Sequence, residues 1–168
     1  MAKRKYNSYV FKNFEDSNEI INNFKIKEFG LLKQKFKKLK RSQQSVCDRI
    51  KGRQPLLCKM LNYDRYDTSV YSLTTVLKYS ISISKVNSKN LNESEILINN
   101  YKVIIGNRIV QKLKKINVSQ QYFATHVKTT QSRIGYLMNT KTFDSFSLTM
   151  LIKYAITLGV KCNDYPTK

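Results

Sequence analysis

The sequence predicts an all-α protein: two tandem helical bundles joined by a linker and an extra helix. Three observations lead there. The chain has 168 residues but only 5 Gly and 2 Pro, so few positions favour turns over helices. Its apolar residues recur at steps of three and four, the spacing of one helix face. It also repeats itself. A shift of 77 lays residues 34–67 over 111–144 without a gap, pairing Ser42, Gln43 and Gln44 with Ser119, Gln120 and Gln121. After two extra residues in the first copy, residues 71–81 match 146–156, with Ser72, Leu73, Thr74, Lys78, Tyr79 and Ile81 recurring. The apolar positions recur too: Val46, Ile50, Leu57 and Met60 fall on Phe123, Val127, Ile134 and Leu137. An internal duplication explains both patterns.

Taken in order, residues 1–18 read as a basic N-terminal arm. Lys3, Arg4, Lys5 and Lys12 suit a phosphate backbone or a minor groove, and a solvated terminus fits the same composition. The stretch is basic without an apolar signal core, and the expectation is a cytoplasmic, nucleoid-associated protein. Residues 19–83 form the first domain. Its opening stripe of Ile20, Ile21, Phe24, Phe29, Leu32, Phe36 and Leu39 suggests two helices broken near Gly30. Residues 84–103 are expected to hold a linker near 84–92 and an extra helix from about Glu93. The second domain, 104–160, has expected helices at about 104–116, 120–127, 131–139 and 148–158. Ser72 and Ser147 sit where N-caps of the last helix of each copy belong, and Gly159 where a C-terminal cap belongs. Residues 161–168 are a tail.

The most informative stretch is Ser119 to Lys141. Ser119 can cap one short helix carrying Phe123, Ala124 and Val127 inward, and Thr130 a second carrying Ile134, Leu137 and Met138 inward. What remains on the second helix is polar: Thr130, Gln131, Ser132, Arg133 and Tyr136. Such side chains can bond base edges and phosphates in a DNA major groove. The run TQSRIGYLMNTK resembles the recognition helix of the phage-repressor (Xre/Cro, lambda-repressor-like) helix-turn-helix family, and the resemblance extends to the first copy.

That resemblance implies a sequence-specific binder of double-stranded DNA, a transcriptional regulator of the repressor type whose two unequal readers act as a pseudo-dimer. It implies base contacts from Gln131, Ser132 and Tyr136, with Arg133 reading guanine or gripping phosphate. By position, Gln120 and Gln43 support the recognition helix or bind a backbone phosphate, while Lys128 and Lys141 flank the helix as phosphate contacts. The first copy offers Lys51, Arg53, Gln54 and Lys59. It departs where Pro55, Leu56 and Cys58 replace Ser132, Arg133 and Gly135. Leu56 can touch a thymine methyl; alternatively this face binds only phosphates, a partner protein or a second copy of the chain.

Charge points to a polyanion. The chain carries 31 Lys and Arg against 11 Asp and Glu, a formal +20, and both copies share the excess. RNA or ribosome binding, and non-specific coating of DNA in a nucleoid or virion, remain alternatives on charge alone. No run of 18 apolar residues suggests a membrane span. Cys47, Cys58 and Cys162 are widely spaced and His126 is the only histidine, a pattern without the spacing of a disulfide framework or a metal site. No catalytic residues, metal or cofactor are expected, because paired carboxylates, a Cys/His dyad and a glycine-rich phosphate loop are not evident.

Overall fold

A computed structural model describes residues 9–67, 69–84 and 91–162, with only the backbone at 91 and 92. The expected basic cluster Lys3, Arg4 and Lys5, most of the 84–92 linker and the tail beyond 162 lie outside the described residues. Among the described residues the fold is all-α, as the sequence predicts. Eight helices follow in order: α1 (Asp16–Leu39), α2 (Gln43–Ile50), α3 (Gln54–Leu61), α4 (Leu73–Ser84), α5 (Leu91–Ile116), α6 (Gln120–His126), α7 (Gln131–Asn139) and α8 (Leu148–Thr157). A 3-10 turn at Tyr63–Arg65 follows α3.

The described residues fall into two compact units. One contains residues 19–101; the other combines 9–18 with 102–162. This division differs from the expected one at two places. Residues 9–18 pack with the second copy instead of forming a free arm, because Phe11 buries its ring against Tyr122, Phe123 and His126. The extra helix and the first helix of the second domain are one helix, α5. Its buried residues Ile98, Tyr101, Ile105, Ile109 and Leu113 keep helical spacing straight through the expected boundary.

α1 is likewise continuous through Gly30, where a break was expected. A mid-helix glycine costs only about 1 kcal/mol relative to alanine. Its neighbours Phe29 and Leu32 are fully buried, and burial of side chains of that size contributes about 1.5–3 kcal/mol each, enough to hold the turn. Ile21 shares that stripe, whereas Ile20 is exposed. The 19–101 unit closes on a core that includes Phe29, Leu32, Val46, Ile50, Leu57, Met60, Val76, Tyr79 and Ile83. Glu28 is buried beside it and accepts a hydrogen bond from the Ser80 hydroxyl at 2.9 Å.

The sequence repeat is also a repeat of backbone geometry. Lys40 and its counterpart Asn117 both take left-handed φ, 49° and 50°, and Lys51 and Lys128 do so at 55° and 54°. Ser42 and Ser119 each accept a hydrogen bond from the amide three residues on, capping α2 and α6. Ser72 and Ser147 do the same for α4 and α8. The turn after α2 closes by Gly52 N–H to Cys47 O at 2.8 Å, and the turn after α6 by Thr129 N–H to Ala124 O at 2.9 Å. Gly159, at φ +65°, ends α8 as expected: its N–H bonds Ile156 O and that of Val160 bonds Ala155 O.

Candidate nucleic-acid interface

In the 102–162 unit, α6 and α7 form two short helices around a tight turn. Phe123, Ala124, Val127, Ile134 and Leu137 are buried beneath it. Thr130 is the N-cap of α7, its hydroxyl accepting from Arg133 N–H at 3.2 Å. Burial of Ile134 and Leu137 fixes the rotation of α7, so Gln131, Ser132, Arg133 and Tyr136 all emerge on the solvent side together with Thr130. Lys141 is exposed just beyond its C-terminal end. The four α7 residues expected from the sequence to meet bases are therefore all open to solvent.

Gln120 turns inward. Its amide nitrogen lies 3.5 Å from Met138 Sδ, and a Cβ added at Gly135 would meet its Oε1 at 3.2 Å. Gln120 thus props α7, one of the two roles expected for it, and Gly135 leaves the room. Beside it an open cleft of about 640 Å³ is lined in part by Lys114, Ser119, Gln120, Gln121 and Gln131. Amides and an ammonium of this kind suit phosphate oxygens.

Arg133 does not extend freely. Its guanidinium lies over the Phe146 ring at 4.7 Å and donates to Ser145 O at 3.1 Å, while the Tyr136 ring stacks on the same Phe146 at 5.8 Å. Phe146 is buried and holds both solvent-facing side chains of α7 in fixed directions. Lys128 is also engaged, in an ion pair with Glu15. That pairing holds the Glu15 carboxyl below the usual carboxylate range, chiefly through the hydrogen bond and charge of Lys128.

Glu15 ends a segment that straps α6 and α8. Lys12 N–H bonds Thr157 O at 3.1 Å, Tyr122 donates to Tyr9 O at 3.3 Å, and His126 Nε2 lies 3.2 Å from Lys12 O. His126 is therefore a packing and hydrogen-bonding partner of the strap. Reading the sequence missed Phe11, Glu15 and Phe146, since an apolar or acidic residue far from a helix pair carries no local sign of docking on it.

The first copy places Gln43 half-buried on α2 and leaves Lys51, Arg53, Gln54 and Lys59 exposed around α3. Arg53 gives α3 no side-chain cap. Instead the buried Tyr79 hydroxyl accepts from Arg53 N–H at 2.7 Å and donates to Arg53 O at 3.3 Å. Burial pushes the Tyr79 phenol up. Its counterpart Tyr154 is buried in the same way, with Thr129 and Arg133 beside its hydroxyl, and its phenol is raised by burial too. The repeated tyrosine was visible in the sequence; its place at the entrance of the third helix was not. Lys59 extends over the Tyr66 ring at 5.9 Å.

Among the described residues, no helix is long and apolar enough to cross a membrane. No protein-family model, no curated protein and no solved structure matches the chain.

Proposed function

We propose that the chain is a sequence-specific double-stranded DNA-binding regulator of the phage-repressor-like kind, most simply a repressor. The observation that carries this reading is the solvent face of α7, where Gln131, Ser132, Arg133 and Tyr136 stand together above buried Ile134 and Leu137. An α-helix presented in this way fits a major groove, and Gln and Arg can each bond two acceptor or donor positions of one purine. The recurrence of the helix pair, with matching left-handed turns at Lys51 and Lys128, supports a second, unequal reader on α3. The formal +20 supports strong phosphate attraction. A monomer with two readers covers two unlike half-sites, and the covalent link raises apparent affinity by making the second contact intramolecular.

The test is binding of the full chain to duplex DNA and to structured RNA of equal length, followed by footprinting. Preference for duplex and protection of two half-sites by one monomer are expected. RNA preference, or protection of one half-site only, counts against the DNA reading and the pseudo-dimer respectively. Affinity should fall by several decades over a fewfold rise in salt if about six or more phosphates are engaged.

A further inference from the structure

The two repeats differ most where Arg133, Tyr136 and Phe146 stack in the second. Their counterparts in the first are Leu56, Lys59 and Tyr71, and these line an open cleft of about 640 Å³ with Pro55 and Val70. The stacked cover of the second repeat is replaced by an apolar hollow beside the exposed end of α3. Val70 is 70% exposed on one side, and Leu56 is half-buried against the core on the other. Gln44 and Gln54 bring amides to the same cleft, and Arg53 and Lys59 bring cations.

We propose that this cleft reads A·T pairs, seating thymine C5-methyl groups against Leu56, Pro55 and Val70. This inference rests on the DNA-binding reading above and assigns the two readers different base classes. Thymine is the one base that places a methyl group in the major groove, and an adenine partner offers N7 and N6 to a Gln amide such as that of Gln54. The apolar floor gains by taking a methyl out of water and has nothing to offer the polar edges of a G·C pair. Arg53 and Lys59 meet the flanking phosphates. The second reader, with Arg133 in the place of Leu56, is suited to guanine O6 and N7.

Binding of the full chain to an alternating dA·dT duplex is compared with binding to the same duplex carrying deoxyuridine for thymidine, which removes only the methyl groups. Tighter binding to the thymine duplex is expected, roughly fourfold for each methyl buried. Leu56→Ser and Val70→Ser should each shrink that ratio, and Arg133→Ala should leave it unchanged. Val70 is exposed enough that its substitution leaves the fold intact, which separates lost recognition from lost folding. Equal affinity for both duplexes, or a ratio unaffected by both serine variants, overturns the proposal while leaving duplex binding standing. Failure to bind either of these duplexes overturns the proposal, and failure to bind a mixed-sequence duplex as well overturns the DNA-binding reading with it.

Discussion

A Cβ added at Gly106 would lie 2.4 Å from the Phe143 ring, closer than any side chain tolerates. Phe143 is wholly buried at a left-handed φ of 58°, so the ring is locked over the glycine. Extending the 77-residue shift back along the helix sets Phe29, itself buried, at the position of Gly106, while Tyr66, at the position of Phe143, is 46% exposed. Gly106→Ala should destabilise the chain by about 1–3 kcal/mol, the usual cost of overpacking. Gly30→Ala should instead be neutral or stabilising by up to about 1 kcal/mol, because its Cβ would meet only Tyr63 Oη at 3.7 Å. Denaturant midpoints of the two variants decide this.

Arg133→Ala should weaken binding to a preferred duplex by about 1–3 kcal/mol and relax preference at one or two base pairs. Phe146→Leu keeps the guanidinium but removes the ring that fixes its direction, so a smaller loss is expected. Titration of both variants against the preferred duplex and single-base variants checks the order.

Glu15→Gln should release Lys128 and raise duplex affinity at low salt, with the gain shrinking as salt rises. Both partners are solvent-exposed, so the effect on stability at neutral pH should be small. The Glu15 carboxyl is lowered from its ordinary 4.5. A lowered folded value means the stabilisation is present above the ordinary value and lost as pH falls through the folded one. Wild type should therefore lose more stability than Glu15→Gln on acidification below about 4.5. Unfolding curves at neutral and acid pH measure the difference.

Cysteine alkylation offers a map of the first reader. Burial pushes the Cys162 thiol up to about 11 and also raises Cys47, so both should react slowly near neutral pH. Cys58, half-exposed on α3, should be labelled first, and bound duplex should slow that labelling. Mass spectrometry of partially alkylated protein, with and without duplex, reads the order of reaction.

The local structure was largely legible in the sequence because it rests on local chemistry. Ser119, Thr130 and Ser147 cap the helices where a Ser or Thr precedes an apolar-periodic run, and the spacing of Ile134 and Leu137 fixed which residues of α7 face out. What escaped was set by distant contacts. Gly30 looked like a break because local propensity ignores the burial of Phe29 and Leu32 around it. The N-terminal stretch looked like a free arm because its lysines are adjacent in sequence, whereas Phe11 and Glu15 dock on residues more than 100 positions away. The residues around Arg133 give no sign of the ring that holds it, because Phe146 lies in the following loop.

Selection of sequences from random duplex DNA by the 168-residue chain tests the reading of DNA by α7 most directly. The expected result is an asymmetric pair of half-sites, one guanine-containing and altered by Arg133→Ala, the other rich in A·T and altered by Leu56→Ser. Recovery of no consensus, or of one that Arg133→Ala leaves unchanged, would contradict it.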